Sequence, residues 1–442
     1  MANGLHLDIE FLRAIARGQR NPGDLATVAL AHLFELCSTC RTAFESWRRE
    51  LGEGVADPFL GDYDFAFEGT RSGAAAKVAA VEAEEAAARE LLALAPEERA
   101  ERVRLDPGRY AGAALADLLL DEARRHLPGR PRDAHSVAIL AQAVLQHTRQ
   151  TPYADELYAR TLAHQGNALR ALGELRQADP LFQAARYLLK PQGGGDRLTK
   201  AEIDAFEGSL RRAQRRFEEA EELLRRSVVA YRMEERSTEA AEVLLRLGKV
   251  YESKGELERA IEVVTEADSE FATRGEPRLL LSRHNLAALL SLAGRSQEAR
   301  EVFEASHDLY DRFPDPLTQL RRLWLEGHLA RAEGALEAAE AAYRAVRDGF
   351  LRQRVGYDAA LVALDLATVY AQQGRTGELK RLAEEIAPVF EAQDVHREAA
   401  AALLLFQDAV RAEQVTLRYL AELTRYLERA RLDPTLPFRR PA

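Results

Sequence analysis

One spacing constrains this chain more than any other feature. Helix-favouring segments stop at Gly173, Arg215, Gly255, Gly294, Gly334 and Gly374, positions separated by 42, 40, 39, 40 and 40 residues. Five residues after each stop comes Ala178, Ala220, Ala260, Ala299, Ala339 or Leu379, and seven before it comes Gly166, Gly208, Gly248, Ala287, Gly327 or Ala367. Nine residues after it stands Phe182, Leu224, Val264, Phe303, Tyr343 or Ala383. Two antiparallel helices approach closely only where side chains are small, so the small residues on either side of the stop mark a crossing point. The glycine at the stop allows a left-handed cap that ends the first helix. The large residue is expected to fill the gap between neighbouring repeats. A single hairpin of this kind cannot bury its apolar faces alone, so hairpins must stack.

This four-column pattern resembles the tetratricopeptide repeat. Residues 248–267, GKVYESKGELERAIEVVTEA, carry it best, with Gly248, Tyr251, Gly255, Ala260 and Ala267 at the family's positions. The resemblance covers at least residues 156 to 390 and implies an all-α fold: a right-handed α-solenoid of stacked antiparallel helix pairs. The period lies nearer 40 than the family's common ~34, which calls for longer helices and is similar to the repeats of bacterial regulators that bind peptides. A weaker copy precedes, with Gly129 at its turn and Ala134 five residues on, and another follows, with helices near 396–412 and 414–430. Leu379 in place of a small residue leads us to expect different packing in the last clear repeat.

The chain divides by composition into a small helical unit (1–56), a linker and helical lead-in (57–104), the solenoid (105–430) and a tail (431–442). The lead-in is expected to be one helix over 76–103, broken by LDPGRY at 105–110. KPQGGGDRLTK (190–200) is a loop between hairpins. Its glycines follow no strand and no Gly-Lys-Ser/Thr comes after them, so it does not fit a phosphate loop.

In the N-terminal unit His32, Cys37 and Cys40 fall within nine residues. Cys-x-x-C spacing lets two thiolates reach one metal, and a nearby histidine can supply a third ligand to a tetrahedral zinc site. Packing of small core residues, or a redox pair, accounts for the same residues. The stretch resembles a zinc-associated anti-sigma domain, although here the spacing is H-x4-C-x2-C followed by Arg41. That resemblance implies possible zinc, with His6 as a fourth ligand, and a zinc- or redox-responsive transcription regulator clasping a sigma factor as the alternative function.

In the tetratricopeptide family the first helix of each pair lines a concave groove. The positions carried over are Arg160, His164, Asn167, Arg170, Arg212, Arg246, Lys249, His284, Asn285, Arg321, Trp324, His328 and Arg331, with few acids among them, such as Glu202, Glu252 and Asp365. A basic stripe of this kind, in a chain of net charge -10, points to an acidic protein or peptide partner held through bidentate arginine pairing. Solvated helix faces and internal ion pairs explain the same charges, and Trp324 also suits packing between helices.

The acidic balance argues against direct nucleic-acid binding. No stretch approaches 18 uninterrupted apolar residues, and the N-terminal sequence lacks a secretory pattern, so a cytoplasmic protein is expected. No H-E-x-x-H, G-x-S-x-G or Walker motif occurs, which gives the expectation of a non-enzymatic scaffold or adaptor, with self-association a further possibility.

Overall fold

A computed structural model describes residues 82–127, 129–148, 152–189, 196–274, 278–392, 410 and 415–430. The chain divides at Arg99/Ala100 into two units. In the first, helix 82–93 stops and a new one starts at Pro96, where one continuous helix was expected. Pro96 offers no N–H to the preceding turn and disfavours helical backbone at Ala95. His32, Cys37, Cys40 and the rest of the N-terminal unit lie outside the described residues.

The second unit is a succession of antiparallel helix pairs, and its described residues contain no strand. We label its repeat helices α1 (Ala113–His126), α2 (Pro131–Gln146), α3 (Pro152–Ala171), α4 (Leu175–Leu188), α5 (Arg197–Ala213), α6 (Phe217–Met233), α7 (Ser237–Lys254) and α8 (Leu257–Arg274). There follow α9 (Leu279–Leu292), α10 (Ser296–Glu304), α11 (His307–Asp311), α12 (Pro316–Ala332), α13 (Leu336–Arg352), α14 (Gly356–Gln372), α15 (Thr376–Ala392) and α16 (Leu417–Ala430). Each first helix (α1, α3, α5, α7, α9, α12, α14) packs on the helix after it, and successive first helices also touch, notably α3 with α5 and α9 with α12. Helix α16 closes on α14. Of the copy expected after the last clear repeat, the second helix, near 414–430, is α16, whereas of the first, near 396–412, only residue 410 is described.

The turns fall where the spacing places them. Gly173, Gly255, Gly294, Gly334 and Gly374 have φ of 81, 82, 77, 80 and 68°, and Arg215 has φ 62°. The next amide reaches back five residues to close the helix, as in Glu256 N to Tyr251 O (2.9 Å) and Ala335 N to Ala330 O (2.9 Å), which satisfies carbonyls the helix leaves open. The same cap recurs between hairpins, at Glu235 (φ 55°) and Arg354 (φ 57°), where no glycine announces it.

The small column is a contact surface. A Cβ placed on Gly166 would stand 2.7 Å from Phe182 Cε2; on Gly208, 2.8 Å from Leu224 Cγ; on Gly248, 2.6 Å from Val264 Cγ2; on Gly327, 2.7 Å from Tyr343 Cε1. The large residue therefore seats on the glycine of its own hairpin, not only between repeats as its spacing suggested, because the bare backbone is what lets the two helices close. Ala178, Ala220, Ala260, Ala299 and Ala339 are fully buried at the same crossing.

Second helices keep an exposed face. Among first helices, α5 is buried at every position from Ala201 to Arg211 and α14 along most of its length, whereas α12 buries only Leu325, Gly327, Leu329 and Ala330. Successive first helices thus form one row, called the inner face below, and no helix among the described residues is long and apolar enough to cross a membrane.

Candidate functional site

The inner face combines polar side chains that the fold uses up and others that it leaves uncommitted. At its N-terminal end Glu202 on α5 accepts hydrogen bonds from Arg124 on α1 (2.6 Å) and from Arg160 on α3 (2.7 Å), with His164 at 3.2 Å. Arg160 also donates to Asp117 (2.7 Å). Burial by itself would raise the Glu202 carboxyl; Arg160, His164 and Arg124 outweigh it and hold Glu202 well below the ordinary value. Arg160 and His164 therefore bind three helices together and are not open to a partner. Arg124 and Asp117, which complete the network, sit on a helix where the sequence pattern was weakest.

At the other end of this row of helices Asp365 on α14 accepts from Trp324 Nε1 (2.8 Å) and from His328 Nε2 (2.8 Å) on α12. Burial works against the Asp365 carboxylate, but His328, Trp324 and Arg331 keep its pKa low. Trp324 packs edge-on against Phe350 on the second helix of its own hairpin, ring centres 5.8 Å apart, and its bond to Asp365 joins that hairpin to the next. Arg331 donates to the Tyr343 hydroxyl (3.3 Å). Lys249 pairs with Glu252 (2.8 Å), and His284 meets the Tyr310 hydroxyl (2.8 Å). Burial, then Lys249, Arg321 and His328, push the His284 pKa down to about 4, so it is a neutral imidazole at pH 7. Asn285 is half-buried, and Arg321 is exposed.

Between these ends lies a group of another kind. Arg170 on α3, Arg212 on α5 and Arg246 on α7 come from three successive first helices, and each is half-buried. Arg170 Nε donates to Asn167 Oδ1 (2.9 Å), and Asn167 is itself buried. The Arg246 guanidinium lies over the Phe206 ring, 5.2 Å from its centre. None of the three forms an ion pair with a described residue. Burial, then Arg212 and Arg246, push Arg170 down to about 9, which still leaves it charged at pH 7. Burial lowers Arg212 and Arg246 as well. A half-buried cluster of like charges with no carboxylate paired to it is unfavourable in the empty protein. It is suited to an anion that replaces lost hydration.

The tetratricopeptide repeat family matches residues 241–270, a stretch spanning most of α7 and α8. The fold is similar to that of a Rap protein crystallised in complex with competence and sporulation factor, with a TM-score of 0.56 at 11% identity over 72% of this chain and 88% of that one. It is likewise similar to the apo form of RapI, with a TM-score of 0.52 at 14% identity over 71% of this chain and 86% of that one. No curated protein sequence matches the chain.

Proposed function

We propose that this chain is a non-catalytic scaffold or adaptor in bacterial regulation or signalling, which binds a protein or peptide partner along the inner face of its helix pairs. An acidic stretch of that partner seats at Arg170, Arg212 and Arg246. The observation that carries the reading is the absence of any carboxylate paired with those three guanidinium groups among the described residues, although acids outnumber bases 71 to 61 in the chain. The stacked-hairpin fold supports it. So does the similarly folded Rap protein, which is seen with a factor bound.

The test starts with a partner isolated by affinity capture and identified by mass spectrometry, then made pure and titrated. Arg170→Glu with Arg246→Glu is expected to weaken its binding at least tenfold, about 1.4 kcal/mol, at unchanged helicity. Arg381→Glu, at an exposed position of α15, should bind as wild type. Equal affinity in all three proteins means the partner does not use this face.

A further inference from the structure

The charge balance around the three arginines specifies the ligand more narrowly than "acidic", and this step rests on the groove reading above. The carboxylates that act most strongly on Arg212 and Arg246 are already engaged. Glu202 serves Arg124 and Arg160, Glu242 pairs with Arg278 (2.8 Å), and Glu252 pairs with Lys249 (2.8 Å). The other group near Arg246 with a negative form is Tyr231, and burial raises its pKa, keeping it neutral. Three positive charges therefore remain. A single carboxylate offsets one of them. A phosphoryl group brings about 1.5 to 2 negative charges and three strong acceptor oxygens.

The donors are also oriented. Arg170 spends its Nε on Asn167, which fixes the guanidinium plane and leaves its terminal amino groups. Arg246 rests its face on Phe206, which leaves its edges to donate. Arg212 stands on the helix between them, three residues before its turn, as Arg170 does. Planar forks held in place in this way match phosphate oxygens bidentately, where lysine would act only as a point charge. We propose that Arg170, Arg212 and Arg246 form a phosphoryl-binding site, so that the segment accepted by the groove carries a phosphorylated side chain.

The experiment uses the full chain and three probes at matched ionic strength. Inorganic phosphate is expected to raise the melting temperature, whereas succinate and acetate are not. A degenerate peptide library with a central phosphoserine should be retained at least tenfold over its serine and glutamate versions. Arg212→Gln should abolish both effects. In phosphate-free buffer it should melt no lower than wild type, because it removes an uncompensated charge, so lost binding cannot be read as lost folding. Succinate matching phosphate, or the glutamate library matching phosphoserine, overturns the proposal in favour of paired carboxylates. Phosphate binding with no retention of the phosphoserine library overturns the peptide-borne source and leaves a site for free phosphate. If phosphatase treatment of the captured partner leaves its affinity unchanged while Arg170→Glu with Arg246→Glu still abolishes binding, this inference falls and the groove reading stands.

Discussion

Replacing Glu202 by alanine is expected to destabilise the protein by about 3–5 kcal/mol, the scale for removing one partner of a buried ionic group. Glu202 is 8% exposed and holds Arg124, Arg160 and His164 at once. Its loss leaves Arg160, mostly buried, with Asp117 alone. Glu202→Gln keeps the shape and one acceptor but removes the charge, so it should fall between wild type and alanine. Urea unfolding followed by circular dichroism measures both, and a loss below about 1 kcal/mol for alanine would show that the network is dispensable. The pH dependence has a definite sign. The Glu202 carboxyl is lowered in the folded protein from an ordinary value of 4.5. Its contribution is fully present above that value and is lost as pH falls through the lower folded value. Wild type should lose stability on acidification in that window more steeply than Glu202→Gln does; parallel curves would exclude Glu202 as the cause.

The same residue shows where the sequence stops being informative. Turn and crossing positions are legible because each demands a residue type: a glycine for positive φ, a small side chain for a close approach. Five glycines and Arg215 stand at left-handed turns at the expected spacing. Glu235 and Arg354 adopt the same backbone but carry ordinary side chains, so nothing in composition marks them. The polar face was legible as a column of basic residues but not as a set of partnerships. Arg160 looks as available as Arg170 until Asp117 from α1 and Glu202 from α5 are seen closing on it. Trp324 and His328 look like ligand-binding groups until Asp365, on the next first helix, accepts from both. Each pairing joins residues some forty positions apart, set by how hairpins stack rather than by local pattern. What survives is the subset that forms no ion pair with a described carboxylate: Arg170, Arg212 and Arg246.

The crossing itself can be tested as a pair. Phe182 is fully buried with its ring over Gly166, and Phe182→Ala is expected to cost about 3–5 kcal/mol for lost burial and the cavity left behind. Gly166→Ala sets two effects against each other. Alanine improves helix propensity by about 1 kcal/mol, but its methyl would stand 2.7 Å from the Phe182 ring, and forcing an extra carbon into such a contact costs about 1–3 kcal/mol. The clash should win in the wild-type background and disappear once the ring is gone, because the methyl then enters vacated space. The effect of Gly166→Ala should therefore change sign, destabilising the wild-type protein and stabilising the Phe182→Ala variant. A double-mutant cycle reads this as a coupling of about 0.5–3 kcal/mol. The last clear hairpin already has alanine at both positions, Ala367 and Ala383, so small facing small is an arrangement this chain accepts. Simple additivity across the four proteins would mean that the glycine column does not set how closely the helices pack, and that the repeat spacing has some other cause.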